Sequence, residues 1–341
     1  MGRWSKARPR PAQRPPDVPG EMPSIIEPQL ATLVSAAPGY GDWSYEIKFD
    51  GYRMLTRIEH GQARLFTRNG HDWSARLPHL RDVAAEIAVD NAWFDGEATV
   101  LDADGKPDFN ALQNAFDRHR TQSIILFVFD LLWLNGRDLR DEPLRARRRV
   151  LHDMMDSIQT PLLRYSEDFA QDPESLIAAA CKMKLEGIIG KRGDSPYRSG
   201  RSTDWIKIKC HLRQEFVIGG IARTKGAKAG VRSLLLGVYE PDGGLRYAGH
   251  VRPHLTPRQS ASFQARIERI QRVRAPFRNP PAPDRDQELL WLKPEVVAEV
   301  SFLEWTPTGE IRHASFEGIR EDKPPRAVNR ESAVASASRK R

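Results

Sequence analysis

The chain changes texture once, just after His211, and that change limits the folds open to it. Between Trp43 and Ile208, short β-branched and aromatic runs alternate with stretches of helical periodicity. They predict strands at 44–49, 52–58, 63–67, 93–100, 124–130, 187–191 and 205–209. Helices are expected at about 78–88, 108–117, 144–156 and 173–184. Strands with interspersed helices, joined by turns such as Glu59-His60-Gly61, imply an α+β domain with antiparallel sheets. Beyond His211 the strands are punctuated by glycine: 216–221, 233–239 and 245–251, then an amphipathic helix at 257–272, then strands at 289–292 and 296–305. Five or so short strands with one interposed helix fit a small β-barrel. Two domains are therefore expected, 21–211 and 212–323, with the boundary near 210–214 and disordered basic segments at 1–20 and 324–341.

Composition agrees and excludes some classes. A length of 341 residues suffices for two cores, and 40% hydrophobic with 29% charged content fits a soluble globular chain. No apolar run approaches the ~20 residues that cross a bilayer. The basic, proline-rich start lacks the hydrophobic centre of a secretory signal. Cys181 and Cys210 offer neither metal-ligand spacing nor a disulfide framework, so a reduced cytoplasmic setting is expected. The net charge of +8 sits at the ends: residues 1–16 hold five Arg or Lys and no acid, and 323–341 hold six against Glu331 alone. Such ends add non-specific attraction to phosphate, but the body of the chain is near neutral, so bulk charge does not establish nucleic-acid binding.

Lys48 lies in the run Tyr45-Glu46-Ile47-Lys48-Phe49-Asp50-Gly51-Tyr52-Arg53. An unpaired ammonium is costly to bury, so a lysine here is either salt-bridged to Glu46 or Asp50, or used chemically. In Trp205-Ile206-Lys207-Ile208-Lys209, strand alternation puts both lysines on one face and both isoleucines on the other, which an ordinary half-solvated strand would also do.

Read in order, these and further segments resemble the signature motifs of the covalent nucleotidyltransferases, which comprise ATP-dependent DNA ligases, RNA ligases and mRNA capping enzymes. Lys48-Phe49-Asp50-Gly51-Tyr52-Arg53 resembles the first motif, Lys-x-Asp-Gly-x-Arg. Thr67-Arg68-Asn69-Gly70 follows it, then Phe94-Asp95-Gly96-Glu97 and Phe127-Val128-Phe129-Asp130-Leu131-Leu132. Glu186-Gly187-Ile188-Ile189-Gly190-Lys191-Arg192, the Trp205–Lys209 strand and Arg320-Glu321-Asp322-Lys323 complete the series. The run Asp194–Arg201 is most similar to the ligase component of bacterial double-strand-break end-joining systems, and the resemblance covers residues 22–325.

The resemblance implies a nucleotidyltransferase domain followed by an oligonucleotide-binding (OB) fold, and a chemistry in three steps. Lys48 takes AMP from ATP, AMP passes to a DNA 5′-phosphate, and the 3′-hydroxyl displaces it. Lys207 and Lys209 are the cations expected to ease deprotonation of Lys48 and to touch phosphate, and Asp50 is expected to orient the lysine or the ribose-phosphate. Glu46 and Ile47 are placed at the nucleotide, Glu46 on the adenine amino edge. Phe129 and Ile188 are expected to sandwich the base. Arg53 and Arg68 would grip ribose and nick phosphate, and Lys191 would approach the phosphates. Glu97 and Glu186 are the carboxylates implied for Mg²⁺ or Mn²⁺. Arg320, Asp322 and Lys323, beyond the barrel, imply a second domain that closes over ATP and then swings away about a hinge near 210–214.

The expected partners are nicked or broken duplex DNA, with an end-binding repair protein as a candidate; no membrane is involved, and the chain is expected to be a nucleoid-associated monomer. The family's polymerase and nuclease modules are absent from the sequence, which reads as a stand-alone ligase. One departure stands out: Arg252-Pro253-His254 replaces the glycine-rich turn usual in the family's second domain. Two alternatives stay open, another lysyl-nucleotidyltransferase (an RNA ligase or a GTP-using capping enzyme) and an inactive DNA-binding scaffold.

Overall fold

The computed structural model describes residues 20–331 apart from 159, 170–171 and 228–229; the basic start expected to be disordered lies, up to residue 19, outside them. The strands of the first domain are β1 (Gln29–Leu33), β2 (Trp43–Ile47), β3 (Tyr52–Glu59), β4 (Gln62–Thr67), β5 (Asn91–Thr99), β6 (Ile125–Leu134), β7 (Arg137–Asp138), β8 (Leu163–Tyr165), β9 (Asp168–Phe169), β10 (Gly187–Arg192) and β11 (Gly200–Lys209). Its helices are α1 (Pro78–Ala85), α2 (Phe109–Asp117), α3 (Leu144–Asp156) and α4 (Pro173–Lys182). Three of these four helices, α1, α2 and α4, start where the sequence supplies a reason. Asp108 and Asp172 accept the N–H of Ala111 and Ser175, and proline occupies the first turn of α1 and α4.

Two sheets face each other across the site. One runs β1-β11-β10-β2-β9 and the other β4-β3-β5-β6-β7, with β8 on β6. Most pairings are antiparallel, as expected, but β1 on β11 and β8 on β6 are parallel. A core of Met54, Ile58, Leu65, Leu112, Leu126 and Leu131 fills the second sheet and its helices. Val34, Tyr45, Ile188, Ile206 and Ile208 form a separate core behind the first. The chain crosses from one sheet to the other at Lys48–Gly51, between β2 and β3. The crossing is pinned by the Lys48 N–H donating to Gly187 O at 3.0 Å. A Cβ at Gly51 would strike the carbonyl oxygen of Ala98, so the Asp-Gly of the first motif is there for close backbone approach.

Cys210 and His211 alone separate β11 from β12 (Leu212–Thr224). The second domain continues with β13 (Ser233–Tyr239), β14 (Leu245–Val251), α5 (Pro257–Arg269), β15 (Gln271–Arg272), β16 (Gln287–Phe302), β17 (Glu304–Trp305), β18 (Ile311–Arg312) and β19 (Ser315–Arg320). The order β14-β13-β12-β16-β15, with β19 on β16, is an open path; among the described residues these pairings do not close into the expected barrel. The two strands expected at 289–292 and 296–305 are one long strand, β16, which carries Pro294 through a register shift opposite Ile218 and Gly220. The Arg252-Pro253-His254 segment leads into α5, which Thr256 and Gln259 close with a reciprocal capping box.

Three expectations need correction. Cys181 at the end of α4 and Cys210 at the domain link are joined by a disulfide, with Cα atoms 5.2 Å apart. Sequence separation conceals this, because α4 packs back against β10 and brings its last turn to the end of β11. Arg320 is not beyond the strands expected to form the barrel but ends β19, the last strand of the second domain's sheet. The segment from 324, expected to be disordered, is ordered as far as Glu331, through a short helical turn at Pro325–Ala327 and a buried Val328.

Candidate active site

Lys48, Glu97, Glu186, Lys207 and Lys209 of the first domain and Arg320 and Lys323 of the second line one cavity. Strand alternation delivers Lys207 and Lys209 to it, while Ile206 and Ile208 point into the core behind. Lys48 pairs with Glu186 Oε2, and Lys209 lies 3.7 Å from Glu186 Oε1. Burial would raise the Glu186 carboxyl, but Lys48 and Lys209 overrule it and hold it well below the usual range. Burial and its neighbour Lys209 depress the Lys207 ammonium to about 8. Lys48 is thus bound to a carboxylate, within a cluster of cations and beside the turn joining the two sheets.

Glu97 differs from Glu186. It makes no ion pair among the described residues, and burial pushes its carboxyl up to about 7. A half-buried carboxylate without an ion-pair partner gains from an added cation, so Glu97 fits a divalent ion held by few protein contacts. Glu186, engaged by two lysines, does not fit that role while Lys48 is unmodified. No group of three or more His, Cys, Asp or Glu side chains that could hold an ion occurs among the described residues.

Several expected contacts are already taken. Glu46 is buried and accepts from Arg148 at 2.8 Å and Ser166 Oγ at 2.8 Å, with Lys191 Nζ at 2.6 Å; of about four acceptor positions on a carboxylate, one is left for a ligand. Arg53 forks onto Asp95 at 2.5 and 2.6 Å and lies 4.5 Å above the Phe129 ring, so it supports the aromatic wall rather than standing free for phosphate. Lys191 covers the same ring at 4.1 Å, and burial lowers its ammonium to about 8. Arg68 lines the cavity half-buried and without an ion-pair partner among the described residues. Ile47 lines it too.

Ile188 does not reach the cavity. It is fully buried behind the sheet, opposite Ile47 in the ladder, and Ile189 lines the cavity in its place. The reason was in the sequence: Ile189 shares a strand face with Lys191, and Ile188 does not. Asp322 also stays out. It is buried behind Arg320, gripping that guanidinium at 2.7 and 2.8 Å.

Sequence reasoning missed a set of charged residues of the second domain that line or border the site, two of which, Arg213 and Glu331, pair with the first domain. Arg213, just past the link, reaches Asp50 at 2.6 Å and Glu299 at 3.0 Å. Burial nonetheless drives the Asp50 carboxyl up to about 7. Glu215 is held well below its ordinary range by Lys323, 3.0 Å away, despite its burial. Glu331 reaches Lys207 and Lys209. For Arg213 and Glu215 the signal was a charge just past the domain link; for Glu331 it was a lone acid in a basic tail.

Two facing sheets with a lysine at their crossing, and a second domain presenting basic side chains to it, have the architecture of a covalent nucleotidyltransferase. The ATP-dependent DNA ligase domain matches residues 28–209, the C-terminal region of the same ligases matches 227–323, and the chain belongs to that family. It is 47% identical over 312 residues to the multifunctional non-homologous end joining protein LigD of Pseudomonas aeruginosa, covering 91% of this chain and 37% of that protein. With LigD of Mycobacterium tuberculosis H37Rv it shares 38% over 310 residues, covering 90% and 40%. The chain thus spans about two-fifths of the length of these relatives. Among solved structures, mycobacterial DNA ligase D complexed with ATP and MES matches with a TM-score of 0.65 at 37% identity, covering 89% of this chain and 98% of that one.

Proposed function

We propose that this chain seals 5′-phosphate/3′-hydroxyl breaks in duplex DNA through a lysyl-AMP intermediate, as part of end joining. The observation that carries the reading is the joint lining of one cavity by Lys48 and by Arg320 and Lys323 from the other domain. Lys48 Nζ attacks the α-phosphorus of ATP, a P–N bond forms, and pyrophosphate leaves. For that attack the Lys48 nitrogen must be in its unprotonated form. Lys207, Lys209 and Arg68 hold the phosphates, while Arg320 and Lys323 face the departing pyrophosphate. Phe129, propped by Arg53 and Lys191, stacks the base, and Glu46 offers its remaining acceptor position to the adenine amino group. Asp50, tied to Arg213, couples the motif-bearing turn to the second domain. Glu97, joined by Glu186 once Lys48 has reacted, would hold the divalent cation, which supplies charge neutralisation on the phosphates.

No helix among the described residues is long and apolar enough to cross a membrane. A nucleoid location, a monomeric state and an end-binding partner are part of the same proposal; the likeness to a non-homologous end joining protein supports the repair setting. The test is labelling with α-phosphate-labelled ATP or GTP, followed by sealing of a nicked duplex. Wild-type protein should label with ATP and Lys48→Ala should not, since no other side chain takes the nucleotide; a labelled Lys48→Ala protein would sink the assignment. Preferential labelling by GTP would move the chain to the capping class.

A further inference from the structure

The segment that follows β19 is fastened to the second domain and aims an acid at the first. The buried Val328 accepts the Tyr239 N–H at 2.8 Å through its carbonyl. Gln214 clamps the next turn of chain from both sides, donating to Asn329 O at 3.3 Å and accepting the Glu331 N–H at 3.0 Å. The Arg330 guanidinium lies 4.6 Å over Trp305. With its backbone held in this way, Glu331 reaches across to β11, placing Oε1 2.7 Å from Lys207 Nζ and Oε2 3.4 Å from Lys209 Nζ. Burial disfavours the charge, but Lys209 and Lys207 keep the carboxyl down at about 2, so it is ionised at any working pH.

A carboxylate offers these lysines what a phosphate oxygen offers, a negative charge and acceptor lone pairs. A nucleotide phosphate seated on the same two lysines would lie against the like charge of Glu331, so the two compete for the place. We infer that Glu331 is a tethered competitor for the phosphates of ATP, seated on Lys207 and Lys209 when nucleotide is absent and displaced when it loads. The inference rests on the reading above, that these two lysines take phosphate. Because the segment is bonded to Tyr239 and Gln214, the acid travels with the second domain. Competition is then confined to the closed form in which Lys48 is charged with AMP, and it disappears when the domain swings away to meet DNA.

The experiment uses the full chain with Glu331→Gln, which keeps the shape, and Glu331→Ala, which removes the side chain. Initial rates of lysyl-AMP formation are measured against ATP concentration. In parallel, binding of inorganic pyrophosphate is measured calorimetrically in a Lys48→Ala background. If the acid is seated in roughly nine molecules of ten, its loss lowers the KM for ATP about tenfold and tightens pyrophosphate binding by a similar factor. A KM that is unchanged or raised, with unchanged pyrophosphate affinity, overturns the competitor. The two readings fail separately. Normal lysyl-AMP formation with an unmoved KM sinks the competitor and spares the ligase. Tighter pyrophosphate binding in a protein that never forms lysyl-AMP does the reverse.

Discussion

Arg320→Ala should separate the first step of the reaction from the last. The guanidinium donates to Asp322 at 2.7 and 2.8 Å and to Glu299 at 2.7 Å, all within the second domain. It also lies 4.9 Å from the Tyr52 ring and 5.0 Å from the Phe109 ring, both of which belong to the first domain. Losing the first set leaves the buried Asp322 without its counter-ion, a defect worth about 3–5 kcal/mol. Glu299 keeps Arg213 at 3.0 Å and is less exposed to the change. That penalty weakens the second domain in its open and closed positions alike, so it lowers the melting temperature without choosing between steps. Only the ring contacts are specific to closure. Cation–π contacts of this kind are worth about 0.5–2 kcal/mol, which corresponds to roughly a 2- to 30-fold loss of the closed form. Any contact to the departing pyrophosphate adds to it. Below the melting temperature of the variant, lysyl-AMP formation from ATP should therefore slow by about tenfold or more. Sealing of a pre-adenylated nick without ATP should hold within about twofold, since that step involves no pyrophosphate and an open second domain. Equal losses on both substrates would refute the reasoning, because they would make Arg320 a structural residue and leave the closing domain without support. A double Arg320→Ala/Asp322→Ala variant should be no slower in the first step than Arg320→Ala alone, since Asp322 acts only through Arg320.

Three further outcomes test other parts of the argument. Gly51→Ala should destabilise the first domain by about 1–3 kcal/mol or more, since the added Cβ meets the Ala98 carbonyl, a backbone atom that cannot move aside; a thermal melt unchanged from wild type would show that the crossing between the sheets is looser than described. Phe129→Ala should weaken ATP binding by about 1–3 kcal/mol in a calorimetric titration, and a variant that melts early yet binds ATP normally would assign Phe129 to the core. Cys181→Ser should cost up to ~3–4 kcal/mol under oxidising conditions, from a cross-link spanning 29 residues. Reductant should bring the wild-type melt down to that of the variant, and a wild-type melt insensitive to reductant would mean that the disulfide does not form in solution.

The elements that were legible in the sequence are those whose pattern is set locally. Lys207 and Lys209 reach the cavity, and Ile206 and Ile208 the core, because period two decides it without knowledge of any partner strand. The same rule, applied to 187–191, would have selected Ile189 over Ile188; the motif resemblance drew attention to the wrong neighbour. What stayed hidden depends on pairing across distance. Strand β1 carries no alternation strong enough to announce itself, and it exists because β11 offers it a parallel edge. In α3, the run Arg145–Arg149 reads as a basic surface. Yet Arg147 and Arg148 fall on the helix face of Leu144, Leu151 and Met155, and both are buried. Charges on an apolar face must be paired, and their partners are far along the chain: Asp130, at 2.8 Å from Arg147 twice over, and Glu46, at 2.8 Å from Arg148. Glu331 follows the same logic. An acid alone in a basic tail looks like solvated surface, unless the cations it would answer are already known to line a pocket. Buried charge in this protein is thus organised by the site it surrounds. Arg148 with Glu46, Arg53 with Asp95 and Arg213 with Asp50 each fix one wall of the cavity, so the positions that a local reading of charge misjudges are the ones that shape the nucleotide site.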